Sequence, residues 1–205
     1  MTELPDRPPP PDSTNFRKYQ TSNPVMRWVI DRFLEEIRRS AVALAPQRIV
    51  DIGCGEGIVA GTLRASLPDM DYLGLDVSPD AVAAARVLQP GLEFRVGSAF
   101  DPPHGERTAD LSLCLEVLEH LEDPSAALTQ VMAWTHGHAL VSVPWEPWFR
   151  IGNLLRGRHI RALGNHPEHV QQFTPRSFAR LLERHSASFR VWTCFPWIIG
   201  LARPS

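Results

Sequence analysis

The chain has few cysteines, no long apolar run and no excess of basic residues. Its 205 residues include only three cysteines, Cys54, Cys114 and Cys194, which lie far apart and lack the short spacing of metal-binding pairs. No apolar stretch approaches the roughly 20 residues needed to cross a bilayer. The start of the chain is rich in proline and charge and does not have the form of a signal peptide. These absences favour a cytoplasmic protein with reduced thiols.

The charge balance gives no sign of a nucleic-acid partner. The formal net charge is −2 and the isoelectric point is about 6.4, so no overall basic field would attract a phosphate backbone. Hydrophobic residues make up 43% of the chain, enough for the core of one α/β domain. We therefore predict a single domain over residues 16–205, preceded by a disordered arm at 1–15 that contains four consecutive prolines.

Apolar runs alternate with amphipathic segments along most of the chain. Apolar residues recur at helical spacing from Asn23 to about Ala45, which predicts a helical cap over residues 16–45. The alternation that follows predicts a doubly wound, Rossmann-like and mostly parallel sheet with helices on both faces. The expected strands lie at 48–52, 71–76, 92–96, 109–115 and 138–143, and the expected helices at 57–66, 79–88, 124–135 and from Pro175 to about His185.

A glycine-rich turn after the first expected strand is the most informative segment. Gly53, Gly55 and Gly57 follow Asp51, and closely spaced glycines let the backbone approach a ligand where a Cβ would collide. A dinucleotide fingerprint, G-x-G-x-x-G, would need its third glycine at the position of Ile58. The turn therefore indicates a nucleotide-type cofactor other than NAD, the alternative being an ordinary tight turn.

A second acidic residue ends the next expected strand. Asp76 follows Asp51 by one β-α-β unit, and right-handed crossovers place its carboxylate beside the glycine turn. There it can accept hydrogen bonds from both hydroxyls of a ribose. The alternative is that Asp76 caps the next helix, although Ser78 and Pro79 already supply an N-cap and a first-turn proline.

These segments resemble the cofactor motifs of class I S-adenosylmethionine (SAM)-dependent methyltransferases over about residues 45–145. The resemblance implies that the glycine turn cradles the amino-acid part and ribose of SAM, and that Asp51 faces its positively charged end. It also implies antiparallel strands at the carboxyl end of the chain, in the apolar runs 187–194 and 196–202. The residues that it assigns to the cofactor are Asp51, Gly53, Gly55, Gly57, Asp76, Val77, Ser98, Ala99 and Glu116.

An acidic and histidine-containing motif follows the fourth expected strand. In a helical turn, Glu116, Glu119 and His120 would share one face, an arrangement that suits Mg or Mn. The motif resembles that of quinone-biosynthesis O-methyltransferases and of small-RNA 2′-O-methyltransferases, in which a downstream histidine completes a metal site. His169 is the candidate for that ligand. Alternatively the motif is a solvated turn or a pocket wall, where His120 or His169 is a general base and Glu116 orients the acceptor.

The irregular segment 144–173 is expected to be a substrate-side insertion. Its part 145–163 combines aromatic, apolar and arginine residues, which fits a lid over a hydrophobic acceptor or an amphipathic piece on a membrane surface. Alternatively it only seals a small core. At the other end, Tyr19 to Asn23 either closes over the cofactor or caps the first helix through Ser22 or Asn23.

The resemblance implies transfer of a methyl group from SAM to a small or lipid-like hydroxylated acceptor. An alcohol or phenol is a poor nucleophile when protonated, so a metal or a base beside the acceptor points to oxygen. RNA 2′-O-methylation is the alternative reaction. If the protein is not an enzyme, the alternative is a non-catalytic partner subunit that binds SAM.

Overall fold

The computed structural model describes residues 22–100, 109–146 and 170–205. Besides the helices and strands given next, it contains a short 3-10 turn at Leu118–His120. The helices are α1 (Pro24–Leu44), α2 (Ile58–Arg64), α3 (Pro79–Leu88), α4 (Pro124–Ala133) and α5 (Pro175–Glu183). The strands are β1 (Arg48–Ile52), β2 (Asp71–Asp76), β3 (Glu93–Val96), β4 (Ala109–Leu115), β5 (Thr135–Pro144), β6 (Ser188–Cys194) and β7 (Trp197–Arg203).

One sheet of seven strands, in the order β3-β2-β1-β4-β5-β7-β6, forms the centre of the described structure. Strands β1 to β5 are parallel, whereas β7 runs antiparallel to both β5 and β6. The strand order reverses between β1 and β4, as it does in doubly wound folds. This confirms the predicted Rossmann-like sheet with an antiparallel carboxyl end.

Helices cover both faces of this sheet. Apolar residues of α1, α2 and α3 form one core cluster with residues such as Ile49 of β1 and Leu111 of β4. On the other face of the sheet, apolar residues of α4 and α5 form a second core cluster with residues such as Val50 of β1 and Cys114 of β4. Every residue of β1 after Arg48 is buried, and successive side chains of a strand point to opposite faces, so both faces of β1 are covered.

Local sequence signals explain where the helices begin. Four of the five described helices start with a proline. The φ angle of proline suits the first residue of a helix, and the N–H group that proline lacks would have no partner within the helix at that position. Asn23 precedes α1, and its Oδ1 accepts hydrogen bonds from the N–H groups of Val25 (3.0 Å) and Met26 (3.2 Å). Asn23 is therefore a helix cap, whereas Tyr19 to Thr21 lie outside the described residues.

The largest boundary difference concerns α4 and β5. The expected helix 124–135 ends at Ala133, and the strand expected at 138–143 starts at Thr135. The Thr135 hydroxyl donates to the carbonyl of Ala109 at 2.8 Å, which joins this part of the chain to β4 before the apolar run begins. Of the other expectations, the arm 1–15 and residues 147–169 of the insertion lie outside the described residues.

Within the part of the chain that the structure describes, no helix is both long enough and apolar enough to span a bilayer.

Candidate functional site

A cavity of about 330 Å³ opens where β1, β2, β3 and β4 end. Cavities of this size are typical of small-molecule sites, and open α/β sheets bind ligands at this edge, where the strand order reverses. The cavity brings together eight of the nine residues assigned to the cofactor, namely Asp51, Gly53, Gly55, Asp76, Val77, Ser98, Ala99 and Glu116.

The glycine turn shapes the floor of this cavity. Gly53 and Gly55 have φ angles of +76° and +53°, in the left-handed region that favours glycine. A Cβ on Gly53 would overlap the side chain of Val117, whereas a Cβ on Gly55 would meet no atom within 4 Å. Gly55 therefore leaves room in the cavity that a side chain would fill.

Gly57 has a different environment from the other two glycines. It does not line the cavity, and its contact with the cofactor stays a prediction. A Cβ at Gly57 would lie 3.2 Å from Cζ of Phe94 and 3.3 Å from Cβ of Ala85. Its small size thus allows the start of α2 to pack closely against β3 and α3.

Asp76 connects the end of β2 to the glycine turn. Its Oδ2 accepts a hydrogen bond from the Gly55 N–H at 2.9 Å, and its Oδ1 accepts one from the Ser78 N–H, also at 2.9 Å. Ser78 in turn caps α3, because its hydroxyl accepts from the N–H of Ala81. A carboxylate has about four lone-pair sites, so both oxygens retain the capacity to accept hydroxyl groups from the cavity.

Asp51 is a buried acid at the end of β1. It is only 2% exposed, and it accepts a hydrogen bond from the Tyr72 hydroxyl at 2.6 Å. Burial raises the pKa of Asp51 from 3.8 to about 7, the Tyr72 hydrogen bond opposes this shift, and the charge of Asp76 adds to it. Asp51 therefore titrates near neutral pH, and a positive charge in the cavity would favour its ionised form.

The chain turns sharply after β4. Glu116 has φ of +57°, a left-handed conformation that is uncommon for a residue with a side chain, and its N–H donates to the Ser142 carbonyl at 3.0 Å. The next residue, Val117, contacts Gly53 of the glycine turn. Backbone strain of this kind concentrates at functional sites, where the surrounding structure maintains it. The turn places Glu116 in the cavity wall.

This turn changes the expected arrangement of Glu116, Glu119 and His120. Glu116 precedes the 3-10 turn and has left-handed backbone, so the three side chains do not share one face of an α-helical turn. His120 lines the cavity and its side chain is 38% exposed. Glu119 is 1% exposed and does not line the cavity, and its Oε1 lies 3.9 Å from Nε2 of His120.

The described residues do not fit a metal centre. Within 22–100, 109–146 and 170–205, no three His, Cys, Asp or Glu side chains are placed so that they could hold a metal ion. His169, the expected additional ligand and alternative base, lies outside these ranges. We therefore assign no step to Mg or Mn.

Backbone hydrogen bonds hold both ends of the segment 144–173. The N–H groups of Val170 and Gln171 donate to the backbone carbonyl of Glu119 at 2.9 and 3.0 Å. At the other end, the Glu146 N–H donates to the Phe173 carbonyl at 3.0 Å. The segment before α5 thus meets the turn after β4.

Comparison with known proteins identifies the family. A family model described as a methyltransferase domain matches residues 19–191. The chain belongs to the class I SAM-dependent methyltransferase family. The family resemblance inferred from the glycine turn and Asp76 is thereby confirmed.

Individual relatives match about half of this methyltransferase. The chain is 28% identical to a ubiquinone biosynthesis O-methyltransferase of Aeromonas salmonicida, over 57% of this chain and 47% of the relative. It is 34% identical to a trans-aconitate 2-methyltransferase of Methylobacterium radiotolerans, over 49% of this chain and 41% of the relative. The chain therefore spans about half the length of the curated relatives that it matches.

A solved structure shows the same fold. The plantazolicin methyltransferase BpumL in complex with SAH superposes with a TM-score of 0.70 at 16% identity, over 92% of this chain and 93% of that chain. The methyltransferase fold thus extends over both the parallel and the antiparallel parts of the sheet.

Sequence reasoning missed several residues of the cavity wall. Phe33 of α1 lines the cavity and stacks on Trp197 of β7, with ring centroids 4.4 Å apart. Helical spacing predicted that Phe33 is buried, but not that α1 packs across the end of the sheet. The other residues missed are Ile52, Cys54, Glu56, Ile58, Val59, Gly97, Leu115, Val117 and Leu121.

Cofactor binding to this methyltransferase should strengthen as the pH rises through about 7. Asp51 has a raised pKa of about 7 without a ligand, and a bound sulfonium would favour its ionised form, so binding below that pH must release a proton. Calorimetry in buffers of different ionisation enthalpy measures this release. We expect a steeper pH dependence for SAM than for S-adenosylhomocysteine, and a flatter one for Asp51→Asn. An unchanged slope in that variant would contradict a role for Asp51.

Proposed function

We propose that this methyltransferase transfers the methyl group of SAM to an oxygen atom of a small or lipid-like hydroxylated acceptor. The observation that carries the proposal is the position of His120, an imidazole that lines the same cavity as the glycine turn and Asp76. A base beside the cofactor suits an acceptor whose nucleophilic atom carries a proton at neutral pH.

The residues of the cavity fit SAM. Gly55 leaves space for the ligand, and Asp76 has acceptor capacity for ribose hydroxyls. Asp51 ends β1 at the cavity wall, where its charge would favour a cationic group. Ser98 and Ala99 follow β3 and line the same cavity, where they would contact the adenine. When bound, SAM supplies a methyl group on a positively charged sulfur.

His120 acts on the acceptor in this proposal. Its imidazole would accept the proton of the acceptor hydroxyl as the oxygen attacks the methyl carbon, and a positioned base of this kind contributes roughly 10²- to 10⁴-fold to the rate. Glu116, fixed in the cavity wall by its turn, would orient the hydroxyl. A phenol suits this arrangement better than an alcohol, because its proton is more acidic.

The charges around the cavity favour an uncharged acceptor. Four carboxyl groups, Asp51, Glu56, Asp76 and Glu116, line its described part, and no lysine or arginine does. An anionic acceptor would be repelled by these groups, which also weighs against the phosphate backbone of RNA. The acidic lining therefore supports a neutral hydroxylated molecule over an RNA 2′-hydroxyl.

A turnover assay with a panel of phenols, alcohols, amines and RNA tests the proposal. We expect S-adenosylhomocysteine to form together with an O-methylated phenol, and we expect a chelator to leave this activity unchanged. Turnover of RNA or of amines only would contradict the acceptor class, and binding of SAM without any turnover would indicate a non-catalytic partner subunit. Loss of activity in chelator, restored by magnesium, would show a metal site completed by residues such as His169.

A further inference from the structure

A buried tyrosine is bonded to the acid at the end of β1. Tyr72 of β2 is 2% exposed and does not line the cavity, and its hydroxyl donates to Oδ2 of Asp51 at 2.6 Å. Asp51 is also 2% exposed, yet it belongs to the cavity wall. Within the described part of the chain, this is the one hydrogen bond that the Asp51 side chain makes. Asp51 therefore links Tyr72 to the cavity.

Close packing fixes the position of the Tyr72 hydroxyl. The Tyr72 ring meets the buried ring of Phe94 edge-on, with centroids 5.7 Å apart. Phe94 lies in space that two glycines leave free, because a Cβ on Gly74 would overlap its ring and a Cβ on Gly57 would lie 3.2 Å from its Cζ. Gly74 is also the residue that pairs with Asp51 between β1 and β2. The tyrosine thus forms part of a tight layer beneath the glycine turn.

The other titratable groups around Asp51 do not favour its negative charge. Burial raises the pKa of Asp51, and the charge of Asp76 adds to this shift. Burial also raises the pKa of the Cys54 and Cys114 thiols, and the charge of Asp51 adds to both shifts, so the thiols stay neutral. The described cavity lining contains no lysine or arginine, and its remaining titratable groups are Glu56, Glu116 and His120.

An ionised carboxylate accepts a hydrogen bond more strongly than a neutral carboxyl group does. A hydroxyl fixed 2.6 Å from Oδ2 of Asp51 therefore favours the charged form of this acid and sets its direction. We propose that Tyr72 is a positioning residue for the cofactor, whose hydroxyl keeps Asp51 charged and oriented towards the cationic group of SAM and thereby sets the lower pH limit of cofactor binding. This inference rests on the proposed function, in which Asp51 favours that cationic group.

Tyr72→Phe should shift the pH dependence of SAM binding to higher pH. Without the hydroxyl, the pKa of Asp51 rises above its value of about 7, so affinity is lost at a higher pH as the pH falls. Loss of a hydrogen bond to a charged group corresponds to a shift of about one pH unit or more. For one unit, the dissociation constant should exceed that of the wild type about tenfold at about pH 6 and less than about twofold at about pH 8.5.

Calorimetric titration at each pH gives the ratio of the two dissociation constants, in which the titration of SAM itself cancels. Phe94→Leu is the matched control, because Phe94 packs on the Tyr72 ring but makes no hydrogen bond to Asp51. It should weaken SAM binding by the same factor at every pH. A ratio for Tyr72→Phe that is equal at every pH, or a Phe94 variant that shifts the profile as far, would overturn the inference.

Fluorotyrosine at position 72 tests the opposite direction and keeps both the ring and the hydroxyl. Fluorine makes the phenol a stronger hydrogen-bond donor, so the profile should shift to lower pH. NMR of an isotope-labelled Asp51 carboxyl in the ligand-free protein measures the same shifts without any cofactor. Equal titration of Asp51 in the wild type and in both Tyr72 replacements would contradict the inference, whatever their affinity for SAM.

Asp51→Asn separates the inference from the proposed function. A wild-type pH profile in that variant would contradict the proposed place of Asp51, and the inference with it. A flat profile in Asp51→Asn together with an unshifted profile in Tyr72→Phe would refute only the role of Tyr72. A shifted profile in a protein that methylates no hydroxylated acceptor would support the inference and contradict O-methylation.

Discussion

Asp76→Ala should weaken the binding of SAM and of S-adenosylhomocysteine by about 1.5–3 kcal/mol, or roughly 10- to 150-fold in the dissociation constant. The carboxylate of Asp76 lies in the cavity wall and would accept the two ribose hydroxyls in charge-assisted hydrogen bonds. It also fixes the turn that forms the cavity floor, through its hydrogen bond from the Gly55 N–H at 2.9 Å. Alanine removes both contributions.

Calorimetric titration of the variants measures this effect, with Asp80→Ala as the control. Asp80 is an exposed acid in the first turn of α3, four residues along the chain, and it does not line the cavity. Its replacement should leave cofactor affinity unchanged. Asp76→Asn keeps an acceptor for one backbone N–H and should lose less affinity than Asp76→Ala. Undiminished binding in both Asp76 variants would mean that the ribose binds elsewhere.

The position of Asp76 could be predicted from the sequence because it depends on topology. Asp51 and Asp76 each end an apolar run, and a parallel sheet with right-handed crossovers brings such residues to one edge. Ser98, Ala99 and Glu116, which the family resemblance assigned to the cofactor, also follow strands and line the same cavity. Residues at the ends of parallel strands are thus predictable from the alternating pattern, before any side-chain contact is known.

Contacts that depend on register or on local backbone conformation could not be predicted. The partner of Asp51 is Tyr72, which is not directly opposite it, because Asp51 pairs with Gly74 and Tyr72 pairs with Ile49. Burial raises the pKa of Asp51 and the Tyr72 hydrogen bond opposes this shift, and the motif specifies neither effect.

The spacing of the acidic motif after β4 led to the wrong expectation that its three side chains share one helical face, because the local backbone conformation differs from a helix. A separation of three and four residues places side chains on one face only when the backbone is helical throughout. Glu116 instead adopts a left-handed conformation, which sequence patterns predict for glycine and seldom for glutamate. Glu116 and His120 both reach the cavity, but Glu119 does not.

His120→Gln should lower kcat for an unactivated phenol by roughly 10²- to 10⁴-fold and leave the affinity for SAM unchanged. Glutamine retains a hydrogen-bonding side chain at this position but cannot take up the acceptor proton. His136→Gln is the control, because His136 is an exposed histidine that pairs with Asp110 at 2.9 Å, away from the cavity.

The choice of acceptor distinguishes a base from a residue that only positions the substrate. A nitrophenol is already ionised near neutral pH, so its oxygen needs no base, and His120→Gln should slow its methylation far less than that of the parent phenol. A residue that only orients the acceptor would affect both phenols equally. Equal losses on the two acceptors would therefore contradict proton transfer to His120, and they would direct attention to Glu116, which lines the same cavity wall.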